Sequence, residues 1–210
     1  MSIDTRETGA RQALLVLALC PALAVSDTVA NALGLGATAL LASFVTTVTA
    51  FWLRRAPDEM RWPVAVLVLA ATVSSADLLL DAWFHELHRA LGIFLPLLVA
   101  NVTIQARAQE ASTLTLRGAA LLGLRTGGAM ALVLLVLALA REIVGRGSIL
   151  HDAGRLLGES ASAFSTQLFR ADMGFLLAML PPGAFISFGL LLAARNWLKS
   201  RHLHEQEQDR

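Results

Sequence analysis

The chain has 210 residues, 56% of them hydrophobic and only 16% charged, with a formal net charge of +1; soluble proteins carry about 25% charged residues. A mean hydropathy of +0.62 therefore points to an integral membrane protein, and the near-zero charge excludes a general electrostatic attraction to nucleic acid. One cysteine, Cys20, excludes an intramolecular disulfide framework.

Six apolar segments follow one another at 13–30, 33–53, 63–84, 91–105, 118–140 and 173–197. The first follows Arg6 and Arg11 and has some of the form of a secretory signal, but further apolar segments follow, so it is expected to stay. It holds Cys20 and, next to it, Pro21, which removes a backbone donor and frees a carbonyl one turn earlier. Ser26 and Asp27 end it in polar residues. Asp27 is expected to cap the next helix, with a place beside an ion path as the alternative.

The second segment opens with a Gly/Ala/Leu texture, "NALGLGATALL" (31–41), that returns in the fifth as "GAALLGLRTGGAMALVLL" (118–135); small residues there let helices approach closely. Trp52 and Trp62 flank Arg54, Arg55 and Arg61, while Trp83 and Trp197 also stand where apolar runs end, as interfacial aromatics do. Around the end of the third segment, Asp77, Asp81, His85 and His88 are spaced to share one helical face. A metal site is one reading. Carboxylate–imidazole pairs at a helix end are the stronger expectation, with Asp77 one turn deeper as an ion-path candidate because intramembrane carboxylates are costly.

The fourth segment carries Pro96 and turns polar at Asn101, Thr103 and Gln105. In the fifth, Arg125 is expected to snorkel, and Arg141 and Glu142 read as an interfacial charge pair. Residues 154–169 have the pattern of an amphipathic helix lying flat on the membrane. The "PPGAF" stretch at 181–185 predicts a kink in the sixth segment.

The second, third, fifth and sixth segments are long enough to span; the first and fourth are short or interrupted and open successive groups of three. Interrupted segments at corresponding places in two halves predict inverted repeats with a midplane site, where non-helical backbone is tolerated only if protein or a cavity satisfies it. The expected fold is thus an all-α integral membrane protein, one domain over 1–210, with six transmembrane segments in two inverted three-helix repeats. These repeats cover 13–84 and 91–197, their first segments are broken half-helices, and 198–210 is a cytoplasmic tail. With the N-terminus inside, twelve of the 17 Lys and Arg residues fall on cytoplasmic segments, a positive-inside bias that places both termini in the cytoplasm.

Four stretches carry a family resemblance: "LCPALAVSDTVANALGLG" (19–36), "ALGIFLPLLVANV" (90–102), "REIVGRGSIL" (141–150) and "FLLAMLPPGAFISFGLLLA" (175–193). In order and spacing they resemble the E subunits of the Rnf ion-translocating electron transport complex and their sisters, the D subunits of the sodium-translocating NADH:quinone oxidoreductase. The resemblance implies one membrane component of a bacterial inner-membrane complex that moves Na⁺ or H⁺, with no activity in the isolated chain. It implies a homologous A subunit of opposite topology as partner, beside flavin- and iron–sulfur-containing subunits and membrane lipid, with no nucleic acid. Electrons would pass between ferredoxin or flavodoxin and NAD(H) through an intramembrane [2Fe–2S] cluster shared with the A subunit, to which both chains give one cysteine from each broken helix.

Cys20 matches the first of these cysteines. The second falls at Val102, which cannot ligate iron, and such clusters take four ligands. Asn101 or Thr103 would offer only oxygen, a weak substitute for thiolate. Asp27 stands where the family has a neutral polar residue, and Arg125 where it is Gly-rich. Three readings follow: an electron-transfer subunit, a divergent structural paralogue that has lost the cluster, or a small-solute or ion permease on the same scaffold. The first requires residues 20 and 102 to meet partway through the membrane.

Overall fold

In a hydrocarbon environment every backbone polar group needs an internal partner, so long apolar runs become helices. The computed structural model describes residues 27–146, with 148–149, 166–167, 180, 182–190, 192–193 and 197. Helix α1 spans Val29–Trp52, α2 Asp58–Trp83, α3 His85–Leu91, α4 Val102–Ala111 and α5 Leu116–Arg146, with 3-10 turns at Leu53–Arg55, Gly92–Phe94 and Pro96–Ala100. Three stretches are long and apolar enough to cross a membrane: Val29–Arg55, Asp58–Trp83 and Leu116–Gly145, with mean hydropathies of 1.6, 2.0 and 2.0. They are the expected second, third and fifth segments. Most of the first lies outside the described residues, as do about half of the sixth, Cys20 and the tail.

The boundaries differ from expectation for local reasons. Helix α1 starts at Val29 because Thr28, extended at φ −128° and ψ 153°, caps it by accepting from the Asn31 amide. Asp27, the expected cap, instead accepts from Asn31 Nδ2 at 2.8 Å. Helix α2 starts early because Asp58 and Glu59 place negative charge in its first turn, while Arg61 donates to Ala56 O and Arg54 O and closes the preceding turn. Ser148–Ile149 and Thr166–Gln167 form a two-residue antiparallel pair. The expected flat amphipathic helix therefore does not hold at 166–167, where β-branched Thr166 pairs with Ile149.

The most extensive packing is between α1 and α5, and it uses the two Gly/Ala/Leu stretches. Gly36 meets Ala131, Gly127 meets Leu40, and Gly123 meets Phe44 and Thr47. Each step of four along α1 matches a step of four back along α5, as rows of i±4 side chains do when two helices interlock. Along α1, Thr38, Thr46 and Thr49 return their hydroxyls to the carbonyls four residues earlier, so these side chains sit in an apolar bundle with their donors satisfied.

A Cβ on Gly127 would overlap the backbone Cα of Leu40, whereas one on Gly128 would meet nothing within 4 Å. Gly127→Ala is expected to lower stability by about 1–3 kcal/mol, the usual cost of overpacking. Gly128→Ala, gaining helix propensity, is expected to match or exceed wild type. Apparent thermal midpoints of the two variants in detergent check this; equal midpoints would contradict the close approach.

The segment between α2 and α5 is an arm broken in its middle. At one end Leu87 and Leu91 of α3 seat on Gly34 of α1. At the other, Ala108 and Ala111 of α4 cluster with Ala50, Ala65 and Ala119. From Gly34 to Ala50 is about 24 Å along a helix axis, most of a hydrocarbon core of about 30 Å. The fourth segment thus runs beside α1 as an interrupted element.

Candidate functional site

The break is built from the polar residues that interrupt the apolar pattern. Gly92, at φ +45°, closes α3 in a conformation that favours glycine. Pro96 then opens a 3-10 turn that ends at Asn101, whose ψ of 106° takes the chain out of helix. Asn101 is buried, and its Oδ1 accepts from the amides of Thr103 at 3.0 Å and Ile104 at 3.4 Å. Gln105 Nε2 reaches back 2.8 Å to Val99 O, supplying a partner to a carbonyl the break takes out of regular helix. These residues satisfy backbone that would otherwise be stranded at depth.

Val102 is the first residue of α4 and is 55% exposed. It presents an apolar side chain at a half-helix N-terminus, open to lipid or to a partner. Asn101→Ala removes the cap; a loss of about 1 kcal/mol is expected, read as a lower apparent midpoint with faster hydrogen exchange at 103–105. Unchanged exchange there would mean that the cap is not what holds the break.

Charged residues gather at one end of the bundle, where α1 begins, α2 ends and α5 ends. On α2, Asp77 and Asp81 approach the short helix α3, which starts after Phe84 breaks the helix at φ −131°. His85 Nδ1 lies 2.8 Å from Asp81 Oδ1, and His88 Nδ1 lies 3.1 Å from Asp77 Oδ1. The second contact is not a hydrogen bond, and the buried Asp77 Oδ1 has no hydrogen-bond partner. The carboxylate–imidazole pairs expected from the spacing are therefore formed, although across a helix break and not along one continuous face. Among the described residues, no group of three or more His, Cys, Asp or Glu side chains is arranged to hold a metal ion.

Arg141 and Glu142, in the last turns of the span, face into the protein: Arg141 is 0% and Glu142 1% exposed. Glu142 Oε2 accepts from the Val29 amide at 3.0 Å, 113 residues away in sequence, adding a second cap to α1. Arg141 donates to Leu180 O at 3.3 Å and feels the charge of Asp27. The signal in the sequence was an Arg–Glu pair closing an otherwise apolar run; nothing local said that it turns inward. Arg125 is exposed, as snorkelling requires. Cys20, the expected partner of position 102, lies outside the described residues.

Long apolar helices around a capped break define a multi-pass membrane protein. The chain belongs to the Rnf-Nqr family, described as "Rnf-Nqr subunit, membrane protein", which it matches over residues 10–192. The relatives it resembles are named as the E subunits of an ion-translocating oxidoreductase complex. That of Thioalkalivibrio sulfidiphilus is 46% identical over 188 residues, 89% of this chain and 82% of the relative. That of Vibrio vulnificus is 48% identical over 183 residues, 86% and 80% of the two chains, and that of Shewanella frigidimarina is 45% identical over 188 residues, 89% and 81%.

Proposed function

We propose that the chain works as the membrane-embedded E subunit of an ion-translocating oxidoreductase complex in a bacterial inner membrane, both termini cytoplasmic. In this reading it pairs with a homologous A subunit of opposite topology, beside flavin- and iron–sulfur-containing subunits. The whole complex moves electrons between ferredoxin or flavodoxin and NAD(H) and translocates Na⁺ or H⁺. The observation that carries the reading is the capped break at Asn101, set in an apolar arm along α1, in a chain whose relatives bear that name. Asp27 and Asp77, at the same end of the bundle, are the carboxylates for an ion path.

The [2Fe–2S] cluster implied by the resemblance does not fit the described residues. Val102 has no donor atom, and Asn101 Oδ1 is engaged by two amides of α4. Cys20 is the only thiol this chain has to offer, so no electron step is assigned to its fourth segment. This favours the second reading, a structural E-type subunit that has lost the cluster, over a permease.

Purification with the natural partner subunits decides among the three. Iron at cluster stoichiometry, with a reduced-state EPR signal that disappears in Cys20→Ser, supports electron transfer through this chain. An iron-free pairing that still assembles with the redox subunits identifies the structural role. A chain that assembles with none of them and takes up solute in vesicles overturns the proposal.

A further inference from the structure

We propose that the cavity between the end of α1, the start of α2 and α4 holds the headgroup of a zwitterionic phospholipid, phosphatidylethanolamine, with its phosphate on Arg61 and its ammonium on Asp58. The inference goes beyond the redox reading and does not rest on it. The cavity has a volume of about 300 Å³, the size of the smaller ligand pockets. Buried Ala50, Ala65 and Ala108 give it an apolar floor, while Asp58, Arg61 and Trp62 are its more exposed lining. It lies where one span ends at Arg55 and the next begins at Asp58, so it sits at the level of the bilayer headgroups. Trp52 and Trp62, both exposed, are aromatics of the kind that mark that level.

The lining carries one charge of each sign, side by side. Arg61 has five N–H groups. One goes to Asp58, one to Ala56 O and one to Arg54 O, which holds the guanidinium in place and leaves two for a phosphate. Asp58 gives Oδ1 to Arg61, its Oδ2 has no partner among the described residues, and its side chain is 87% exposed. Arg54, which lies over the Phe51 ring at 4.3 Å, and Arg55 are outside the lining, so the cavity itself is neutral in sum. A ligand with a phosphate and an ammonium on a short linker meets both charges, each through charge-assisted hydrogen bonds. Phosphatidylglycerol offers Asp58 only neutral hydroxyls and sets a net negative charge beside it. Phosphatidylcholine has a quaternary ammonium with no N–H to donate. The acyl chains of any of the three continue from the apolar floor into the bilayer.

The test uses the full chain, delipidated and unfolded thermally in detergent micelles that contain phosphatidylethanolamine, phosphatidylcholine or phosphatidylglycerol with the same acyl chains. A ligand that binds only the folded state raises the midpoint as its concentration passes its Kd. The expected result is a saturable rise with phosphatidylethanolamine, the other two lipids needing at least tenfold higher concentration for the same shift. Asp58→Asn, at an exposed position, is expected to fold and to lose this tenfold preference, because the carboxylate that draws the ammonium and repels the anion is gone. Glu59→Gln, one residue further on and outside the lining, should keep it. Equal responses of the wild type to the three lipids overturn the proposal, as does a wild type that prefers phosphatidylglycerol, the mark of a basic anchor and not of a zwitterion site. A preference that survives in Asp58→Asn overturns it too. Should that variant not fold, the wild-type order of the three lipids decides. Water-soluble glycerophosphoethanolamine that matches the lipid at equal concentration would assign the cavity to a small solute and overturn the lipid.

Discussion

Glu142→Ala is expected to destabilise the folded chain by about 3–5 kcal/mol, the cost of removing one member of a buried charge cluster and leaving the others in place. Glu142 and Arg141 are both fully buried, and the carboxylate also caps α1 through the Val29 amide. A solvent-exposed pair would lose no more than about 1 kcal/mol, so the magnitude alone separates the two placements. Glu142→Gln keeps an acceptor for Val29 but removes the charge, and should recover about 1 kcal/mol of the loss, the worth of a cap. For a chain of this size the alanine variant should fall on the order of 10 °C in apparent midpoint. An alanine variant that melts with the wild type would show that Glu142 faces water.

The long helices were legible because hydrophobicity over some twenty residues is a local property. Their ends were not. Asp27 and Thr28 are adjacent, both are good cap residues, and which one caps depends on where the backbone leaves the extended region, at Thr28. The break in the fourth segment was readable from Pro96 and the polar residues 101–105, but their task was not. Asn101 looked like a weak metal donor and is a helix cap; Gln105 looked merely polar and returns to Val99.

The close approach of α1 and α5 could be suspected from texture alone, since small residues repeat in both stretches. Its register, Gly36 on Ala131 and Gly127 on Leu40, needs the pairing of two elements far apart in the chain. The same holds for Glu142 on Val29. Contacts that join distant segments carry the part of the site that patterning along one segment does not encode.

Val102→Cys should restore what the broken arm lacks. The side chain is exposed at the first position of α4, where no intrahelical amide bond depends on it, and valine to cysteine changes little volume. The cost to folding should stay below about 1 kcal/mol. If the half-helix still faces a homologous partner, a second thiol at this position together with Cys20 and two partner cysteines completes the four-ligand set. The purified pair should then rise from trace iron to about two irons per complex, the content of a [2Fe–2S] centre. Thr103→Cys is the control: one residue further along α4 its side chain points about 100° away, so it adds a thiol without adding iron. Equal iron in both variants would mean that any gain is adventitious. No gain in Val102→Cys would mean that the arm, though still broken and capped, no longer presents this position to a partner, and that the departure at residue 102 accompanies a loss of the interface and not only of a ligand.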